Sequence, residues 1–181
     1  MAKLISSTYA GALFDLAIEK NKADEWQEEI EAIRDIIHDN PGFNELMLHP
    51  RVTKEEKLNI IEEAFGGKAD PEICGFLRII IEKDRYAFLD AIFDEFTDLV
   101  KERNNIGVAY VTSALDLSAA QKKAIVDKLL ETTRFRTMEM HYSTDAGLIG
   151  GMVIRIGDRV VDSSIRTRLN GLTRQLLQAQ V

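Results

Sequence analysis

The hydrophobic period changes once along the chain, at Asn104-Asn105, from a helical repeat to a strand repeat. A sequence with such a switch cannot fold as one uniform layer; it calls for a helical part followed by a sheet-bearing part. Charge changes at the same place. Up to Asn104 there are 13 Lys and Arg against 23 Asp and Glu, and after it 10 against 7. The chain therefore divides into an acidic half and a mildly basic one, and its 181 residues leave room for two small domains, expected at 1–104 and 105–181.

Before Asn104 six helices are expected. The first, from about Ser7 to Lys20, has Ser6 or Ser7 to cap it and carries Tyr9, Leu13, Leu16 and Ala17 on one face. In the second, Asp24-x-x-Gln27 has capping-box spacing, Trp26, Ile30, Ile33 and Ile37 form the apolar stripe, and Asn40-Pro41-Gly42 ends it. A short third piece runs from Phe43 to Leu48. Thr53-x-x-Glu56 opens the fourth, which Gly66-Gly67 closes. Asp70-Pro71 starts the fifth, to about Lys83, and the sixth covers about Ala87 to Arg103.

After the switch, Ile106 to Ala114 reads as a strand, and Ser118 with Gln121 caps a helix bearing Ile125, Leu129 and Leu130. Phe135 to Tyr142 alternates Met138, Met140 and Tyr142 with Glu139 and His141, the period of a half-buried strand. Met152 to Ile156 and Arg159 to Val161 flank Gly157-Asp158 as a hairpin. A closing helix runs from about Ser164 to Gln180 with Ile165, Leu169, Leu172 and Leu176 in a stripe. The fold class expected is α+β: an N-terminal six-helix bundle, then a small mixed α/β domain.

Several kinds of chemistry lack the residues they need. His38, His49 and His141 have no metal-ligand spacing, and Gly67-Lys68 resembles the end of a phosphate loop but continues to Ala69 rather than Ser or Thr. Gly147 to Gly151 lacks the order of a dinucleotide fingerprint and reads as a tight passage into a strand. Ser163 and Ser164 read as helix caps, and Glu28, Glu29 and Glu31 as a solvated helix face. No catalytic residue, metal or cofactor is expected. Cys74, the single cysteine, cannot form an internal bridge and lies in an apolar stretch, as suits a reducing compartment. No run approaches the roughly 20 apolar residues that span a bilayer, and the opening residues read as mature sequence. A net charge of −7 argues against general nucleic-acid binding.

The fifth helix carries more apolar surface than packing on one side requires. Ile73, Phe76, Leu77, Ile79, Ile80 and Ile81 point in nearly every direction, whereas a surface helix needs only about a 100° stripe. Either the helix is central and buried all round, or one face enters the core and another lines a groove for a partner's amphipathic helix. On the groove reading, Tyr9 and Ala12 of the first helix form the neighbouring wall, and Phe76, Ile79 and Ile80 the other.

The run Gly150-Gly151-Met152-Val153-Ile154-Arg155-Ile156-Gly157-Asp158, followed by Val160-Val161-Asp162-Ser163-Ser164-Ile165-Arg166 and Arg168-Leu169, closely resembles the signature of the delta-subunit family of bacterial F-type ATP synthases. That family is similar to the mitochondrial oligomycin-sensitivity-conferring protein. The likeness extends from Tyr9-Ala10-x-Ala12-Leu13-Phe14 to the closing helix, and Ser163 stands where the family often has glycine. The resemblance implies a non-catalytic stator subunit, one copy per complex, at the cytoplasmic face of a bacterial plasma membrane. Its helical domain would bind the N-terminal helix of an alpha subunit, and its C-terminal domain the b subunits of the peripheral stalk. Arg166, Arg168 and Arg174, beside the closing stripe, are the candidate stalk contacts. The alternative is a helical RNA-binding factor resembling transcription antitermination proteins; against it, the acidic helical half shows no basic stripe interleaved with aromatics.

Overall fold

The computed structural model describes residues 2–179, with side chains described from 3 to 175. Its contacts separate into two units, 1–100 and 101–181. The first holds α1 (Ala2–Lys20), α2 (Ala23–Asp39), α3 (Pro41–Leu48), α4 (Lys54–Phe65), α5 (Pro71–Glu82), a 3-10 turn at Tyr86–Phe88 and most of α6 (Leu89–Arg103). The second holds β1 (Ile106–Ser113), α7 (Ala119–Thr132), β2 (Thr137–Thr144), a 3-10 turn at Ala146–Leu148, β3 (Met152–Ile156), β4 (Arg159–Asp162) and α8 (Ile165–Ala179). The fold class is α+β.

The helical unit is built around one core. Ala10, Leu13 and Ala17 of α1, Trp26, Ile30, Ile33 and Ile37 of α2, and Ile92, Phe93 and Phe96 of α6 are all buried in it. The first helix starts earlier than its serines suggest. Ser6 lies inside α1 and its hydroxyl donates to the Lys3 carbonyl at 3.1 Å, while Thr8 donates to Leu4 at 2.7 Å, the back-bonding of hydroxyl residues within a helix. The Asp24-Gln27 box is likewise not formed. Asn21 takes φ +55°, its N–H donates to Ile18 and that of Lys22 to Ala17, a Schellman turn that makes Lys22 the N-cap of α2 and leaves Asp24 inside its first turn. Gln27 bonds to Glu31 instead.

Other caps form as their sequences dictate. Thr53 accepts from the Glu56 N–H while Glu56 accepts from the Thr53 N–H at 2.8 Å, and Ser118 and Gln121 make the same reciprocal pair at the start of α7. Asp70 caps α5, accepting from Glu72 at 3.0 Å. Tyr86 donates to Asn44 at 2.8 Å, tying the 3-10 turn to α3, and burial, with Asp90 nearby, pushes its phenol up to about 12.

The sheet has the order β2-β1-β3-β4, with β1 and β2 parallel and the other pairs antiparallel. Paired residues share a face. Ala109 and Val111 therefore lie with Met140 and Tyr142 on one side and with Ile156 and Ile154 on the other. This is the face that α7 covers: Lys122 sits over the Tyr142 ring at 4.7 Å and Ile125 is buried. The opposite face carries Tyr110 stacked on His141 at 4.8 Å, with the Arg155 guanidinium 4.7 Å from the same ring. Gly157 at φ +53° makes the β3–β4 turn. Gly151, at φ +76°, passes so close to the Ser163 carbonyl that a Cβ has no room there.

Candidate functional site

On the helical unit, the surface between α1 and α5 is held in place at its α5 end. Lys20 pairs with Glu72 at 3.4 Å, and Lys22 with Asp70 at 2.7 Å, while the Asp70 N–H donates to Glu29 at 2.8 Å. Burial opposes the charge on Asp70, but contacts with Glu72 and Lys22 overcome it and hold the carboxyl well below the usual carboxylate range. Tyr9 and Phe76 then meet edge to face, centroids 6.4 Å apart.

Around that aromatic contact the surface is partly apolar. Ala12 is exposed one turn beyond Tyr9, and Ile79 is 48% exposed one turn beyond Gly75. Phe76, 9% exposed, forms the floor. Ile80 does not belong to this surface: at 0% exposure it lies wholly in the core, because it stands one turn from Leu77 and two from Ile73 on the inward face of the helix. Leu4, one turn before Thr8 and two before Ala12, is an apolar side chain left 72% exposed near the start of α1. Sequence reasoning missed it because the helix was expected to start at Ser7.

On the second unit, Arg166, Arg168 and Arg174 are all exposed on α8. Ile165, Leu169 and Leu172 of the apolar stripe are also exposed, the side chain of Leu176 lies outside the described ones, and Gln180 lies outside the described residues. The start of α8 is fixed firmly. Asp162 accepts from the Ser164 N–H at 2.8 Å and from the Thr167 hydroxyl at 2.7 Å, and Ser164 accepts from the Thr167 N–H at 3.2 Å. These contacts, the Thr167 hydroxyl first, lower the Asp162 carboxyl. An apolar groove of about 330 Å³ between α7 and β3, lined by Ala124, Ile125, Leu129, Met152 and Ile154, has no counterpart in the sequence reading. Its two walls lie far apart in the chain.

The histidines have ordinary partners: His38 bonds to Asp90 at 3.2 Å, His141 to Glu139 at 2.9 Å, and His49 accepts from the Arg51 N–H at 3.1 Å. Among the described residues no three His, Cys, Asp or Glu come together as metal ligands, and no helix is long and apolar enough to cross a membrane.

The family described as ATP synthase delta (OSCP) subunit matches residues 5–176. The chain belongs to that family. It is 48% identical over 181 residues to ATP synthase subunit delta of Lachnoclostridium phytofermentans, covering all of both chains. To the subunit of the same name from Picosynechococcus sp. it is 35% identical over 177 residues, covering 98% of this chain and 96% of the relative. The fold is also that of a chain in the Toxoplasma gondii mitochondrial ATP synthase hexamer, with TM-score 0.75 and 23% identity over 95% of this chain and 97% of that one. Membership makes the chain a structural subunit of the F-type ATP synthase, without an active site of its own, that serves the stator. The RNA-binding alternative finds no support in these relatives.

Proposed function

We propose that the six helices act as one bundle that docks on the catalytic head, while residues 105–181 hold the end of the peripheral stalk. The chain would then link the head to the b subunits as a single copy, at the cytoplasmic face of a bacterial plasma membrane. Rotor torque would otherwise turn the head with the shaft. A link with two separate contacts resists this through avidity, without one exceptional interface.

The observation that carries the head contact is the half-exposed Ile79 on a helix whose other isoleucines, Ile73, Ile80 and Ile81, are all buried, beside Tyr9, Phe76 and the small side chain of Ala12. An amphipathic N-terminal helix of an alpha subunit suits this surface. Its apolar anchors would cover Ile79 and Tyr9, and Ala12 lets its backbone come close. Each buried anchor stabilises by roughly 1.5 to 3 kcal/mol before association costs.

Titration calorimetry with an alpha N-terminal peptide tests this, with thermal melts on the same samples. Ala12→Trp should block by volume and Ile79→Asp by an unpaired charge, each at least about tenfold, or about 1.4 kcal/mol, with the melt unchanged. Unaltered affinity removes the groove. For the stalk, replacing Arg166, Arg168 and Arg174 by glutamine should weaken capture of peptides from the C-terminal ends of the b subunits and reduce its salt dependence, leaving alpha-peptide binding intact.

A further inference from the structure

The two edges of the sheet differ in kind. β4 is four residues long, exposed throughout and bounded by Arg159 and Asp162, the short charged edge that discourages pairing with another chain. β2, at the other edge, has β1 as its only neighbour in the sheet. All of its residues, Thr137 to Thr144, keep register with β1, with no bulge, proline or lysine among them. Alternate backbone groups of such a strand point away from the sheet, and among the described residues no backbone bond meets that side. Met138, Met140 and Tyr142 stay half-buried along this open edge.

The sequence of β2 reads in nearly the same way from either end about Met140. Thr137 mirrors Ser143, Met138 mirrors Tyr142, and Glu139 mirrors His141. A second β2 laid antiparallel, with Met140 opposite Met140, therefore matches apolar with apolar and acidic with basic. On the apolar face Met138 meets the second copy's Tyr142, a sulfur–aromatic contact. On the other face each Glu139 meets the second copy's His141, a favourable cross-strand pair. A slip of one residue would set apolar against polar side chains. A slip of two puts Glu139 opposite Glu139 in one direction and His141 opposite His141 in the other, so the charge match selects one register. Within the chain Glu139 pairs with Lys101 at 2.7 Å and bonds to His141 at 2.9 Å. An ionised carboxylate has about four lone-pair sites, which leaves capacity for one more partner.

We infer that β2 is an interface between two copies of this chain, which pair edge to edge about a two-fold axis at Met140. Each copy gives the same strand to the contact, the isologous arrangement of a closed dimer. The two sheets then join into one that ends in β4 on both sides, and those short charged edges stop growth beyond two copies. The inference stands apart from the stator reading: with a single copy expected in the complex, the dimer is a state of the subunit outside it.

Sedimentation equilibrium of the full chain over a concentration series tests this. The chain should pass from monomer to dimer and no further. Met140→Lys, which puts a charge at the centre of the open edge, should weaken the dimer at least about tenfold with an unchanged melt. Glu139→Lys should weaken it too, and Glu139→Lys with His141→Glu should restore it, because the cross-strand pair returns with its signs exchanged. Val160→Lys, on β4, should change nothing. Amide hydrogen exchange reads the edge without any substitution: β2 should gain protection at concentrations where the dimer forms, and β4 should not. A chain that stays monomeric, a dimer that survives Met140→Lys with the melt intact, equal weakening by the single and double charge variants, or no concentration-dependent protection in β2 overturns the interface. Growth past the dimer also overturns it, since that would mark an edge open to any strand. If β2 gains protection only when another ATP synthase subunit is added, the edge belongs to that subunit and the dimer fails.

Discussion

The two units stabilise themselves by different means. In the helical unit, large side chains such as Trp26, Phe93, Phe96 and Ile92 are fully buried in one hydrophobic core. In the second unit the buried apolar residues among the described ones are Ala109, Val111, Ile125 and Leu148, most of them small or medium, and Leu169, Leu172, Val160 and Val161 stay exposed. A four-stranded sheet with one helix over half of one face has more apolar surface than its own elements cover. The first unit buries its large apolar side chains in a core of its own, while the second leaves part of its apolar surface uncovered.

The largest effect that sharpens this contrast is core truncation. Phe93→Ala should destabilise the helical unit by about 3 to 5 kcal/mol, whereas Ile125→Ala, at a site with room to collapse, should fall at or below the low end of the roughly 2 to 5 kcal/mol range for its class. Urea unfolding followed by Trp26 fluorescence for the first unit and by sheet circular dichroism for the second reads both. Equal costs would break the comparison.

Next comes the cap series. Thr53→Ala and Ser118→Ala each remove a complete capping box, one in each unit, and each should cost about 1 kcal/mol. The same local chemistry should act alike in both units, so a loss at Ser118 several times that at Thr53 would show that α7 is held mainly by its cap.

The smallest effect is electrostatic and confined to the helical unit. The Asp70 carboxyl titrates lower in the folded chain than in the unfolded one, so the unfolded state binds more protons between the two values. Its contribution is complete above the ordinary carboxylate pKa of about 4 and is lost as pH falls toward the folded value. Asp70→Asn keeps the cap but removes the charge, and should flatten the acid limb of a Trp26-monitored pH series while leaving sheet circular dichroism unaltered. An unchanged limb would assign the acid sensitivity to other carboxylates.

Much of this organisation was legible because it depends on short-range rules. The capping boxes at Thr53 and Ser118, the Asp70-Pro71 start of α5, the glycine turn at Gly157 and the alternation of Met138, Met140 and Tyr142 each involve residues within a few positions of one another. Where local signals competed, the reading failed. Ser6 and Asp24 both looked like caps, but Ser6 sits inside a helix that begins at Ala2, and the turn at Asn21 fixed the start of α2 before Asp24 could. At the candidate head site, Ile79 and Ile80 are chemically equivalent in sequence; about 100° of helix rotation puts one in solvent and the other in the core.

The sequence by itself determined the two-part α+β composition, the positions of most helix ends and the family, because period, capping and a contiguous motif are all written along the chain. The tertiary structure alone decided which apolar residues remain uncovered. Whether Ile79, Leu169 or Ile154 is satisfied depends on which distant element lies over it, and the apolar groove between α7 and β3 exists because Ala124 and Met152, separated in sequence by a whole strand, line it together.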